Sequence, residues 1–400
     1  MSVQRLGRRL YLVRWKDAQG RHRGVRVYSK AEADALDAQH KVRRAARRVG
    51  PVAAGSVTLA DYFAEWDQVH APALARSTQR QQRGVLRTWV LPRLGDRRLD
   101  RLAPRVVAGW RASILPPNGC APTRGTSATP TQANHALRAL SSLLGYAVRD
   151  GYLSENPCSG LRRVPVEKRG QRFLAPDEIE ALRVAMPTLR DAVLVGLMAY
   201  AGMRPGEALA LRWGDCSDRG LLIDEAYTDA QLKAPKVNRR RHVELVAPLA
   251  DDLVLLRPDS GHREDFVCPN RYGQPLHGAN WQRRVWVPAC ERAGIDGARP
   301  YSLRHSYASL LIHSGRPVNY VQAMLGHSSP VLTLETYAHV FDEAQLGRGI
   351  EMADAIRSAR KPLPGHLLAG ASASGLERFK AEERKRAERA ATDDDYFVGF

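Results

Sequence analysis

Four hundred residues exceed one ordinary core and imply two to three domains, and the make-up of 44% hydrophobic and 26% charged residues is that of a globular protein. No apolar run approaches the roughly 18 residues of a membrane span, and the opening MSVQRLGRRL lacks the apolar stretch of a secretory signal, so neither a membrane protein nor a secreted one is expected. The formal charge of +19 calls for a polyanionic partner, while five cysteines without paired or finger-like spacing argue against a disulfide framework and structural zinc.

The charge is concentrated: residues 1–50 hold fourteen basic and four acidic side chains, which favours nucleic acid over a merely solvated surface. Within that stretch RRLYLVRWKDAQGRHRGVRVYS (8–29) alternates apolar and polar residues on both sides of a turn cluster, the pattern of a β-hairpin. A helix is predicted over 30–48, with Ser29 as its cap, acids in the first turn and bases in the last. GPVAAGS (50–56) reads as a linker. From 57 to about 155 four segments space apolar residues three and four apart, an all-α unit interrupted by the Pro- and Gly-rich loop PPNGCAPTRGTSATP. SENPCSGLRRVPVEKRG (154–170) reads as a second linker. Beyond it helices and a β-hairpin near 221–246 alternate to about 345, and the charged stretch 366–400 reads as a frayed helix with a disordered end.

Four short stretches between 190 and 340 carry candidate chemistry. In MAYAGMRPGEALALRW, Gly202 stops one helix and Pro205 starts the next, so Arg204 is held between two helix ends; a plain ion pair with Glu207 is equally compatible. DAQLKAPKVNRRRHVEL places Lys233 and Lys236 at a hairpin tip, ahead of three consecutive arginines. RPYSLRHSYASLLIHSG starts a helix near Ser302, with Leu303, Tyr307, Leu310 and Leu311 as its buried stripe and Arg304 and His305 near its start. In LGHSSPVLTLETYAHV, Gly326 is the C-cap of a short helix, His327 follows it, Ser329 and Pro330 open the next helix, and Tyr337 lies about two turns along.

Two arginines, a lysine, a histidine and a tyrosine in a basic protein suit attack on a DNA phosphodiester. That reaction needs a nucleophile, cations on the non-bridging oxygens and an acid for the leaving 5′-oxygen. Arginine forks grip phosphate in pairs of hydrogen bonds, and a cationic pocket favours the phenolate of a tyrosine whose free pKa is near 10. No metal and no nucleotide cofactor is called for.

In this order and at these spacings AGMRPGE, SLRHSYAS, LGHSS and TLETYAHV resemble the motifs of the phage-integrase family of tyrosine recombinases, over about residues 8–345. The resemblance implies a multidomain, mainly α fold with small β elements: an arm-type DNA-binding domain of β-sheet plus helix at 1–50, a helical core-binding domain at 57–155 and a mixed α+β catalytic domain at 171–345; beyond it, composition leaves a C-terminal helix and flexible tail at 346–400. It implies that Arg204, Arg304 and His327 bind the scissile phosphate, that Tyr337 forms a 3′-phosphotyrosyl link, and that a hairpin lysine, Lys236 or else Lys233, is the general acid. Where the family usually has a histidine three residues before the second arginine, this chain has Tyr301. A phenol donates a hydrogen bond but is a weak base, which leaves Tyr301 and His305 as alternatives for the proton acceptor.

The resemblance further implies double-stranded DNA with core and arm-type attachment sites as partner, a homotetramer on that DNA, and an excision or DNA-bending accessory protein. A cytoplasmic, nucleoid-associated integrase of a mobile element is the expected protein. A topoisomerase-like relaxing enzyme and a catalytically silent DNA-binding regulator on the same fold are the alternatives.

Overall fold

In the computed structural model, residues 2–5, 11–16, 22–27, 30, 33–34, 57–117, 127–166, 172–218, 220–233, 240–346 and 351–394 are described, and the chain divides into two units, Met1–Lys168 and Arg169–Phe400. Among the described residues no helix is long and apolar enough to cross a membrane. The 50–56 segment, Lys236, and all of the helix expected over 30–48 except residues 30, 33 and 34 lie outside the described residues.

The first unit opens with an antiparallel sheet in the order β1 (Ser2–Arg5), β2 (Tyr11–Lys16), β3 (His22–Val27). The hairpin read from sequence is β2–β3, in the register Val13↔Val25; β1, too short to show an alternation, adds a third strand through pairs such as Val3↔Val13. A separate helical core follows. Its first helix, α1 (Leu59–Val69), is closed by a reciprocal cap in which Thr58 Oγ1 accepts from the Asp61 N–H at 3.1 Å and the Thr58 N–H donates to Asp61 at 3.0 Å. Helix α2 (Arg76–Val85) runs into α3 (Leu91–Leu94) through a wide turn, Leu86–Val90, in which the Leu91 N–H donates to the carbonyl five residues back. The cause is Pro92, which has no N–H to continue the regular ladder. Helices α4 (Pro104–Ile114) and α5 (Pro130–Arg149) complete a core around Tyr62, Trp66, Trp89, Trp110 and Leu140. The described part of the expected linker at 154–170 is not free. Asn134 and the Val164 backbone exchange hydrogen bonds at 2.8 and 2.9 Å, and Asn156 donates to the Ser141 carbonyl, so residues 156–164 are pinned back onto α5.

The second unit is built around α7 (Leu189–Tyr200), of which every residue but Arg190 is buried; α6 (Pro176–Val184), α9 (Ala247–Leu256) and α12 (Pro300–His313) pack on it. Between them lie α8 (Pro205–Ala210), α10 (Gly278–Trp281) and α11 (Val287–Arg292), the last two joined by a wide turn that again precedes a proline, Pro288. The hairpin expected near 221–246 becomes two small sheets: β4 (Cys216–Ser217), β5 (Gly220–Ile223) and β8 (Arg241–Val243) in the order β4-β5-β8, and a separate pair β6 (Ala226–Thr228) and β7 (Gln231–Lys233). The tip of the inner pair is Asp229–Ala230, both at positive φ, so Lys233 is not at the tip. It sits on β7 opposite Ala226.

Helices α13 (Val318–Leu325) and α14 (Pro330–Leu346) complete the core beside α12; there Leu310 is only half-buried, while Leu303, Tyr307 and Leu311 are buried as read. The chain then continues as α15 (Met352–Ala359), α16 (Gly365–Leu368) and α17 (Ala373–Asp394). The charged stretch forms a helix over 373–394 whose start is docked, not frayed: Leu376 and Phe379 pack on the core and the Ser374 N–H donates to Asp259, while residues 395–400, where a flexible end is expected, lie outside the described residues. An ionic cluster, buried at Glu180, Arg183 and Asp252 and half-buried at Arg360, fastens the same region. Arg183 binds Glu180 at 2.7 Å and Asp252 at 3.3 Å, Arg360 reaches both acids, and the Tyr200 hydroxyl donates to Glu180. Burial alone would raise the Glu180 carboxyl; hydrogen bonds from Arg183 and the two arginine charges outweigh it and hold it below its ordinary value.

Candidate active site

The last three carbonyls at the end of α13 each accept from a different arginine. Arg241 Nε donates to the Met324 carbonyl at 3.0 Å, Arg304 Nη2 to the Leu325 carbonyl, and Arg204 Nη2 to the Gly326 carbonyl at 3.3 Å. A helix C-terminus leaves such carbonyls without partners and carries partial negative charge, so it gathers guanidinium groups contributed from β8, α12 and the start of α8. Gly326 makes the arrangement possible. At φ 62° it turns the chain in the left-handed region, and a Cβ there would meet Arg241 Cδ at 3.2 Å.

Arg204 is aimed by Glu207. Its backbone N–H and Nη1 each donate to that carboxylate at 2.8 Å, so the ion pair and the aimed fork read as alternatives in the sequence coexist. Glu207 also accepts two hydrogen bonds from Arg241, at 3.1 and 2.6 Å. Burial would raise its carboxyl, but the Arg241 hydrogen bonds and charge, with Arg204, prevail and hold it at about 2. Arg304, 1% exposed, is pinned by Nη1 to the Gly202 carbonyl as well. Gly202, at φ 60° and with no room for a Cβ against the Tyr307 ring, is what turns that carbonyl toward it. Burial, then the nearby Arg204 charge, pushes Arg304 down to about 10. Three guanidinium groups gather about one carboxylate, which pairs with Arg204 and Arg241, leaving a surplus of two positive charges in a largely dehydrated place.

His327 follows Gly326 directly and is tied to the next helix: its Nδ1 meets Thr333 Oγ1 at 2.9 Å. Among the described residues its Nε2 has no partner. Burial, then the charges of Arg304 and Arg204, push its imidazole down to about 4, so it is neutral at pH 7. Thr333 and Tyr337 are one turn apart on the same face of α14, so the contact that holds His327 also sets the register of the tyrosine. Tyr337 is 1% exposed, yet its hydroxyl is not in an apolar interior: it lies 2.6 Å from His305 Nδ1. Burial raises its pKa and the Arg304 charge works in the opposite direction.

Thus Arg204, Arg304, His327 and Tyr337 come together. Tyr301 is 42% exposed and stands edge-on to the His305 ring at 5.0 Å, also lining an apolar cavity of 420 Å³ with Leu194, Leu209 and Trp281. Lys233 is half-buried on β7, and Lys236 is outside the described residues. Sequence reasoning did not single out Arg241 or Thr333. The signal for Arg241 is its place two residues before Val243 on a strand, which puts both on the inward face, whereas the adjacent Arg240 is exposed.

The phage integrase family profile matches residues 172–344, and that of the family's N-terminal SAM-like domain matches residues 58–115. Tyrosine recombinase XerC of Xylella fastidiosa (strain 9a5c) is 31% identical over 226 residues, covering 54% of this chain and 72% of the relative. The chain belongs to the phage integrase family of tyrosine recombinases. Enzymes of this family cleave and rejoin DNA strands. The ICEBs1 integrase of Bacillus subtilis (strain 168) is 26% identical over 247 residues, covering 57% of this chain and 66% of that one. Among solved structures, the Tn1549 transposon integrase in complex with a circular intermediate DNA aligns with a TM-score of 0.58 at 17% identity, over 73% of this chain and 98% of that one. A lambda integrase tetramer bound to a Holliday junction aligns at 0.56 and 16%, over 82% and 96%. At such identities the likeness is one of fold, and the multidomain, mainly helical recombinase architecture expected from the sequence is the one found.

Proposed function

We propose that this tyrosine recombinase is the site-specific integrase of a mobile element, acting on double-stranded DNA as a homotetramer on core sites. In this reading 1–50 binds arm-type sites, 57–155 grips the core duplex, and the catalytic domain at 171–345 holds the scissile phosphate. Arg204 and Arg304 neutralise its non-bridging oxygens, and His327 donates from Nε2. Tyr337 attacks phosphorus, forming the 3′-phosphotyrosyl bond as the bond to the 5′-oxygen breaks. Lys236, or Lys233 in its place, protonates that oxygen, and Tyr301 lends a phenol to the edge of the pocket. The ester keeps the bond energy, so rejoining needs no nucleotide. An excision or DNA-bending accessory protein and a nucleoid location belong to the same reading.

The observation that carries the reading is the surplus of two positive charges at the end of α13, beside a tyrosine whose hydroxyl faces a histidine and not hydrocarbon. The DNA complexes and the tetramer named among the fold's neighbours support the partner and the assembly. The test is a nicked suicide duplex carrying a core site that the wild-type chain selects from a randomised pool. The wild-type chain should accumulate a covalent protein–DNA adduct on it, and Tyr337→Phe should bind with similar affinity and yield none. An adduct of undiminished yield from Tyr337→Phe would refute the assignment. No adduct from the wild-type chain on a site it binds would favour a silent DNA-binding regulator.

A further inference from the structure

The family pattern supplies no acceptor for the proton of Tyr337 in this chain. Tyr301 stands where a histidine is usual, and a neutral phenol does not take a proton at neutral pH. The acceptor contact in the structure is made one turn further along α12. His305 Nδ1 lies 2.6 Å from the Tyr337 hydroxyl, with the ring centroids 5.7 Å apart, which is a formed hydrogen bond. We propose that His305 is the catalytic base of the reaction, taking the Tyr337 proton on Nδ1 as the phenol oxygen attacks phosphorus.

The inference rests on the reading of Tyr337 as the nucleophile. Its chemistry balances without a further reagent. The Tyr337 O–H bond breaks toward His305 Nδ1, the phenolate oxygen bonds to phosphorus, the bond to the 5′-oxygen breaks, and that oxygen takes a proton from the hairpin lysine. On rejoining, the 5′-hydroxyl gives its proton back to the lysine as its oxygen bonds to phosphorus, the bond from phosphorus to the Tyr337 oxygen breaks, and the imidazolium returns its proton to that oxygen. In the neutral ring one nitrogen donates and the other accepts, so the tautomer that serves carries its hydrogen on Nε2.

The surroundings suit the role. The groups facing His305 are Arg304 and Tyr301 from its own helix, Tyr337 from α14, and His327 beyond the end of α13. Burial first, then the Arg304 charge, pushes the imidazole down to about 4, so it is unprotonated at neutral pH. A bound phosphodiester brings negative charge to the same arginines and eases the imidazolium that forms during attack. Tyr301, edge-on to the ring, fixes its plane. The usual histidine position thus becomes a positioning residue for the base one turn on.

The experiment is single-turnover adduct formation on the selected nicked duplex, with a natural scissile phosphate and with a 5′-bridging phosphorothiolate, whose sulfur leaves without an acid. His305→Asn is the informative variant, since its side-chain oxygen keeps an acceptor near the Nδ1 position but takes no proton. It should bind DNA within about twofold of wild type and form adduct ~10²–10⁴-fold more slowly on both substrates. Its rate should climb about tenfold per pH unit between pH 6 and 9, where the wild-type rate is nearly flat. A substitution that only disturbed packing would not create that slope. If His305→Asn cleaves within about threefold of wild type with a flat profile, while Tyr337→Phe makes no adduct, the proposal is overturned and the nucleophile reading stands. An adduct from Tyr337→Phe sinks both. Nitrogen NMR of the wild-type chain on DNA gives an answer independent of any variant: an unprotonated, hydrogen-bonded Nδ1 on His305 is expected, and a protonated Nδ1 contradicts the role.

Discussion

At the scale of single residues, the site depends on one carboxylate serving two arginines. Glu207 is held at about 2 against an ordinary value of 4.5, chiefly through Arg241 once burial is overcome. A carboxyl depressed in the folded state contributes stability that is complete above pH 4.5 and is lost as pH falls through 2. For Glu207 that contribution is on the order of 3 kcal/mol, so urea midpoints of the wild-type chain should fall more steeply below pH 4.5 than those of Glu207→Gln. Removing the partner is costlier at neutral pH. Arg241→Met leaves a buried carboxylate with Arg204 alone and should lose about 3–5 kcal/mol, and pairing it with Glu207→Gln should recover part of the loss. Additive losses in the double variant would show that the two side chains do not act together. His327, held at about 4, is the opposite kind of group: its neutral form is native, and protonation below its ordinary 6.5 works against the fold.

At the scale of elements, punctuation made much of the site legible. Gly202 and Pro205 bracket Arg204, Gly326 ends α13, and Ser329 with Pro330 opens α14, each for a local backbone reason that sequence alone displays. Gly202 should accordingly tolerate nothing larger. Gly202→Ala combines left-handed strain of about 1–2 kcal/mol with overpacking against Tyr307 of about 1–3 kcal/mol, so a loss of about 2–5 kcal/mol is expected in urea denaturation. A loss below about 1 kcal/mol would mean that the ring yields. What sequence hid was long-range or too short to leave a period. Arg241 looks like its neighbours until β8 is known, the Thr333–His327 contact crosses between elements, and β1 is four residues long. In α17 two apolar side chains, Leu376 and Phe379, are outnumbered by charges, so the sequence does not display the docking of its start.

For the whole molecule, the surplus of positive charge and its crowding into the first fifty residues imply binding dominated by phosphate contacts. Affinity for a duplex with both arm and core sites should fall steeply with salt, and deleting residues 1–50 should make the slope of log affinity against log salt shallower by about 0.9 for each phosphate that is no longer neutralised. An unchanged slope would contradict the arm-domain assignment. The second unit, by contrast, is fastened by its own interior, from α7 to the ionic cluster of Glu180, Arg183, Asp252 and Arg360. That rigidity lets side chains from β8, α8 and α12 meet at one helix end.

The most direct measurement is the identity of the linked residue. The wild-type chain trapped on the nicked duplex, digested with nuclease and protease and analysed by mass spectrometry, should carry a 3′-linked nucleotide remnant on Tyr337. A remnant on Tyr301 or any other side chain would contradict the placement of the nucleophile beside His305 and the arginines gathered at the end of α13.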